Sequence, residues 1–89
     1  MADVHNSPEA LRAMASTLQQ CVSELEAEER KLRAALGRFR QVARDAKYAR
    51  FEERFRTTLA WLTKWRQEAE GAITQLRRDA ETLGRYTRR

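Results

Sequence analysis

The side chains that could carry out chemistry in this chain are few, and their spacing matches no familiar catalytic or metal site. The only histidine, His5, lies near the N-terminus, and the only cysteine, Cys21, falls on an apolar stripe where a buried thiol is expected. No pair of cysteines or histidines has zinc-ligand spacing, and no glycine-rich phosphate loop occurs. The sequence therefore predicts no enzymatic activity, no small-molecule substrate, no metal and no cofactor.

Basic side chains are the remaining chemical candidates, because they could contact phosphates. The chain has 18 lysines and arginines against 13 acidic residues, a net charge of +5. Most charges alternate in sign, as in Glu26 and Arg30, which is typical of a solvated helix surface. The aromatic residues follow the core periodicity, which argues against a stacking platform. A basic coiled coil that binds nucleic acid is the alternative hypothesis; its phosphate contacts would be Lys47, Arg50, Arg54, Arg77, Arg78, Arg85, Arg88 and Arg89.

The composition predicts an all-α protein. Three glycines and one proline leave little material for turns, and the most frequent residues favour helices. Residues 1–6 are expected to form a flexible tail, after which Ser7 caps a helix that begins at Pro8. The N-terminus lacks a basic segment followed by an apolar run, and no apolar run could span a membrane. We therefore expect a protein without a membrane span, either cytoplasmic or secreted without a cleavable signal peptide.

A first helix is predicted over about residues 8–43. Large apolar residues recur at steps of three and four, which indicates a heptad seam with Val22 and Leu36 widening it on one side. The seam consists of Leu11, Met14, Leu18, Cys21, Leu25, Leu32, Phe39 and Val42.

The apolar pattern changes phase in the middle of the chain. A continuous seam would fall on Ala46, Ala49 and Glu53, whereas the large apolar residues are Tyr48, Phe51 and Phe55. The slip is two residues, roughly 200° around a helix. A reversal of the chain removes the conflict, whereas one long parallel coiled coil does not.

The chain reversal divides a single domain over 7–89 into two arms. The turn is predicted at about 44–46, with Asp45 as the N-cap of a second helix over about 46–84 and Gly84 as its C-cap. The fold class expected is an antiparallel two-helix hairpin.

Two arms do not cover all of the apolar surface. The apolar arc of the second helix spans about half its circumference, which is more than one partner helix covers. We therefore predict that hairpins pair into a four-helix bundle. The predicted hairpin core consists of Leu18, Leu25, Leu32, Phe39, Leu59, Leu62, Ile73 and Leu76. The predicted partner interface consists of Trp61, Trp65, Leu83 and Tyr86.

The centre of the chain contains a recognisable motif: Arg44, Asp45, Tyr48 and Phe51 in the frame Arg-Asp-x-x-Tyr-x-x-Phe, followed by Phe55. With this motif, the chain from Ser7 to Tyr86 resembles the WXG (early-secreted-antigen-like) family of small bacterial helical hairpins linked to type VII secretion. The namesake tryptophan position is Ala43.

The resemblance implies a non-enzymatic interaction protein that forms a homodimer, a heterodimer with a related helical partner, or a higher oligomer. Tyr48, Phe51 and Phe55 would close the end of the hairpin and Asp45 would cap the second helix, while the surrounding arginines and glutamates, including Arg44, stay exposed to solvent. The family's C-terminal export signal, Tyr-x-x-x-Asp/Glu, is absent, because Tyr86 is followed by Thr87, Arg88 and Arg89.

Overall fold

A computed structural model of the chain describes residues 7–42 and 45–87. It contains two α-helices, α1 (Pro8–Val42) and α2 (Ala46–Thr87). They lie side by side in opposite directions and form a rod 67 Å long. The predicted all-α class and the antiparallel hairpin are confirmed.

Side-chain and backbone caps define the helix starts. The Ser7 hydroxyl accepts a hydrogen bond from the Ala10 amide at 3.1 Å, which satisfies one of the donors left free in a first helical turn. The Asp45 carbonyl accepts hydrogen bonds from the amides of Tyr48 at 3.0 Å and Ala49 at 3.3 Å. Asp45 therefore stands at the N-cap position of α2. The predicted motif residue Arg44 lies outside the described residues.

Contacts across the hairpin follow an antiparallel register. Moving towards the closed end, Glu29 meets Arg66, Arg33 meets Thr63, and Arg40 meets Glu52. Residue numbers rise in α1 as they fall in α2. This register places the middle of α1 opposite the middle of α2.

The core consists of one row of positions on each helix. In α1 the buried row is Pro8, Ala15, Val22 and Glu29, spaced by seven residues. In α2 the buried residues are Leu59, Ala69, Ile73 and Ala80. Ala15, Val22, Ala69 and Ile73 form one cluster, and Leu18 and Leu76 are partly buried against it.

The seam predicted for α1 is rotated relative to the observed core. Cys21 is exposed, so the prediction of a buried thiol was wrong. Met14 and Val42, which belong to the same heptad row as Cys21, are exposed too. The core uses the row on the other side of the leucines, because Ala15 and Val22 permit close packing and Glu29 finds a cationic partner in α2.

The predicted end of the second helix was also wrong. Gly84 lies inside α2, which continues to Thr87. It does not adopt the left-handed conformation that a C-cap glycine uses. A side chain at Gly84 would meet Arg12 of α1 at an ordinary 3.7 Å, so the helices still lie side by side there.

Candidate interaction surfaces

One side of the hairpin is closed by charged side chains centred on Glu29. Only 3% of this residue is exposed. Its carboxylate accepts hydrogen bonds from Arg66 Nε at 2.5 Å and from the Thr63 hydroxyl at 3.0 Å. Arg66 also lies 3.4 Å from Glu26, and Arg33 donates to Thr63 at 3.3 Å. These contacts tie the helices together in mid-hairpin.

The surroundings of Glu29 keep it ionised. Burial alone would raise the pKa of Glu29, but the hydrogen bonds from Arg66 and Thr63, with the charges of Arg66 and Arg33, outweigh it. The pKa of Glu29 therefore lies below its ordinary value. The hydrogen bond to Glu29 raises the pKa of Arg66 in return, so the two groups form a stable ion pair.

A second charged cluster covers the same side nearer the turn. Glu52 accepts from Arg40 Nε at 2.6 Å and lies 3.1 Å from Arg56. Arg40, Glu52 and Arg56 border an open groove with Leu36 and Leu59. The groove between the helices is thus bridged by ion pairs along this side.

The opposite side of the hairpin is apolar and open. There, a groove of about 340 Å³ is lined by Cys21, Leu25 and Trp65 together with two glutamates. The neighbouring groove, of about 370 Å³, is lined by Leu32, Ala35, Leu59 and Leu62 together with Glu28, Glu29 and Lys31. We call the surface formed by Cys21, Leu25, Leu32, Leu62 and Trp65 the apolar face.

The four residues predicted to form the partner interface do not occupy one environment. Trp65 is 37% exposed and lines the apolar face, and Trp61, one turn earlier, is 67% exposed. Tyr86 is exposed near the end of α2, whereas Leu83 is half-buried. Trp61 and Trp65 are therefore the large side chains of this group that a partner could cover beside the apolar face.

The predicted core residues divide into two groups. Leu59 and Ile73 are buried, and Leu18 and Leu76 pack against the core. The other four are half-buried: Leu25, Leu32, Phe39 and Leu62.

The core prediction omitted several small or charged residues that occupy buried or half-buried heptad positions. The sequence signal for the small ones is their seven- and four-residue spacing, which the larger side chains obscured. The omitted residues are Ala15, Val22, Glu29, Arg66, Ala69 and Ala80.

Aromatic rings of the predicted turn motif cluster at the closed end of the hairpin. Phe39 contacts Tyr48 edge to face with ring centroids 5.4 Å apart, and its centroid lies 5.5 Å from that of Phe51. Phe55 adjoins Phe51 at 4.7 Å. The cluster is only partly covered, since 37% of Tyr48 and 47% of Phe51 are exposed, and Val42 beside the turn is 83% exposed. We call Val42, Tyr48 and Phe51 the end cluster.

Uncompensated cations accompany the end cluster. Among the described residues, Arg38, Lys47, Arg50 and Arg54 form no ion pair. We call these four residues the end cations. Lys47 Nζ lies 5.7 Å from the centre of the Tyr48 ring, a cation–π distance. The expectation that the aromatic residues follow the core and leave no platform was thus wrong at this end of the hairpin.

No family model, curated protein or solved structure matches the chain. The resemblance to the WXG family therefore stands on the central motif and the hairpin pattern of the sequence. Within the described part of the chain, no helix combines the length and apolar character needed to cross a membrane.

Proposed function

We propose that this protein is a non-enzymatic helical interaction protein of the WXG type. It pairs with a second copy, or with a related helical hairpin, through the apolar face. Two hairpins joined in this way form a four-helix bundle. The observation that carries the proposal is the asymmetry of the hairpin: ion pairs join the two helices on one side, and uncovered apolar side chains line the grooves on the other.

The asymmetry bears on pairing because a single hairpin leaves this apolar surface in water. Leu25, Leu32 and Leu62 are half-buried in the hairpin, so the packing of α1 against α2 covers only part of each side chain. A second hairpin laid along the apolar face would cover the remainder and most of Trp65. Such a contact resembles the inner surface of a four-helix bundle, whose core is filled from four helices.

The tryptophans favour a protein partner for the apolar face. Trp65 lines a groove with Leu25, Trp61 one turn earlier is 67% exposed, and tryptophan is enriched among the residues that dominate the binding energy of interfaces. A partner on the ion-paired side would instead have to cover the charged side chains of Arg40, Glu52 and Arg56. Pairing through the apolar face leaves the charged side wet, which keeps the assembly soluble.

The WXG resemblance links this pairing to a type VII-like secretion system. In such a system, export of the pair would use a signal carried by the partner. A cytoplasmic protein, or one secreted without a cleavable signal peptide, is consistent with this role.

Sedimentation equilibrium of the full chain tests the proposal. We expect the average mass to rise from one hairpin to two over roughly a hundredfold range of concentration, because self-association follows mass action. If the mass remains that of one hairpin, the same measurement with candidate hairpins encoded beside this gene tests the related partner. A single-hairpin mass in every mixture would refute pairing.

A further inference from the structure

The closed end of the hairpin forms a second exposed surface, separate from the apolar face and independent of pairing. We propose that this end docks onto the surface of an anionic lipid bilayer. The end cluster enters the boundary between headgroups and acyl chains, and the end cations contact lipid phosphates. The hairpin then stands on the membrane by its tip without crossing it.

The apolar part of the docking surface is the end cluster. Val42, the last residue of α1, is 83% exposed. Tyr48 and Phe51, in the first two turns of α2, are exposed as well. A valine, a phenylalanine and a tyrosine at one tip suit a bilayer boundary, where apolar groups insert and tyrosine rings prefer the interface. Stacking with bases would use the rings but not the valine.

The charge of the chain is concentrated at the same tip. Residues 38–56 contain seven lysines and arginines against three acidic residues, so this segment supplies +4 of the net charge of +5. Glu52 is already shared by Arg40 and Arg56. Asp45 and Glu53 are the only other acidic residues of the segment. Basic residues beside a membrane-facing segment attract anionic lipids.

The size of the tip favours a bilayer over a macromolecular partner. Two helix ends, each about 10–12 Å across, present roughly 200 Å² end-on. A single nucleic-acid-binding module buries about 600–1,000 Å², and a protein partner needs about 800 Å². A peripheral contact with lipid needs only a few inserted side chains and several cations.

Vesicle flotation of the full chain tests the docking, using phosphatidylcholine vesicles with and without phosphatidylglycerol. The test variant carries Lys47→Gln, Arg50→Gln and Arg54→Gln. The matched control removes the same charge elsewhere on α2 by replacing three exposed cations that form no ion pair among the described residues. They are Lys64→Gln, Arg77→Gln and Arg78→Gln.

Each end cation is expected to contribute roughly fivefold to the partition coefficient on anionic vesicles, so the test variant should lose about a hundredfold. The control should lose less than about tenfold, since its cations lie away from the tip. Circular dichroism before lipid is added establishes that both variants are helical. The binding of the wild-type chain should weaken as salt is raised, which tests the charge contribution without any variant.

Insertion is tested separately with an environment-sensitive fluorophore on Val42→Cys in a Cys21→Ser background. Its emission should shift to the blue on anionic vesicles, while the same label on Lys64→Cys should not shift. The proposal is overturned if the wild-type chain does not bind anionic vesicles, or if the test and control variants lose the same amount of vesicle affinity. It is also overturned if the emission of the Val42→Cys label does not shift on anionic vesicles. Binding of a polyuridine oligonucleotide that the test variant abolishes, without vesicle binding, would assign the tip to nucleic acid instead.

Discussion

Replacement of the two tryptophans beside the apolar face tests where pairing occurs, and the structure predicts the order of the effects. A fully exposed tryptophan presents about 250 Å². Trp61, 67% exposed, therefore offers about 170 Å², and Trp65, 37% exposed, about 90 Å². At about 25 cal/mol per Å², a partner that covers them completely gains up to about 4 and 2 kcal/mol per copy.

These areas predict that the two single substitutions weaken pairing to different extents. In a symmetric pair both copies lose the side chain, so Trp65→Ala should weaken the dissociation constant by up to about a thousandfold. Trp61→Ala should weaken it more, because more of its surface remains for a partner. The variant with both changes should sediment as a single hairpin at any practical concentration.

Sedimentation equilibrium over a concentration series measures the constants, and Gln67→Ala serves as the control on the same helix. The single-hairpin form should keep its thermal stability in Trp61→Ala, since this side chain is mostly in water. A pair that survives loss of both tryptophans would show that partners meet on another surface.

Three further predictions concern the hairpin. Leu59→Ala, at a side chain only 2% exposed, should lower the free energy of unfolding by about 2–4 kcal/mol in urea titrations, and an unchanged midpoint would contradict the core described. Because the pKa of Glu29 is lowered from its ordinary value of 4.5, its ionised form stabilises the fold above that pH, and this stability is lost as pH falls through the lower folded value. Unfolding midpoints between neutral and strongly acidic pH should therefore fall less steeply in Glu29→Gln than in the wild type; equal slopes would refute the role of Glu29. Spin labels on Leu11 and Leu83 should be close neighbours, and a separation near the length of an unbroken rod would refute the hairpin.

The reversal of the chain was predictable because the spacing of the large apolar residues slips by two residues at that point. The row from Leu11 to Phe39 cannot continue in phase into Tyr48 and Phe51 on one helix, and only a turn brings the two rows into contact, as the rings of Phe39, Tyr48 and Phe51 are. The rotation of α1 was not predictable in this way. The rows containing Cys21 and Val22 flank the same leucines, and their hydrophobicity does not decide between them. The choice depends on a contact across the hairpin, between Glu29 and Arg66.

The same distinction applies to the candidate surfaces: periodicity predicts some of their residues, and contacts between the helices decide the others. Spacing alone identified Trp61 and Trp65 as side chains beyond the reach of one partner helix, because they lie on the flank of the stripe. The exposure of Phe51 was not expected, since its spacing equals that of core residues. Core spacing guarantees burial only where a neighbouring helix passes alongside, and α1 ends at Val42, close to the level of Phe51.

The buried ion pair explains why the hairpin closes in one register. In α2 the inner row reads Leu59, Arg66, Ile73 and Ala80, each seven residues apart. An apolar strip with this repeat would tolerate a slip of one heptad, since leucine and isoleucine present similar surfaces to α1. A slip would instead place the Glu29 carboxylate against Leu59 or Ile73, and a buried charge without its partner costs about 3–5 kcal/mol. The pair therefore selects the register that leaves α1 and α2 level at the closed end. The same register sets Cys21 and Leu25 beside Trp65, so the contact that closes one side of the hairpin also assembles the face proposed to receive a partner on the other.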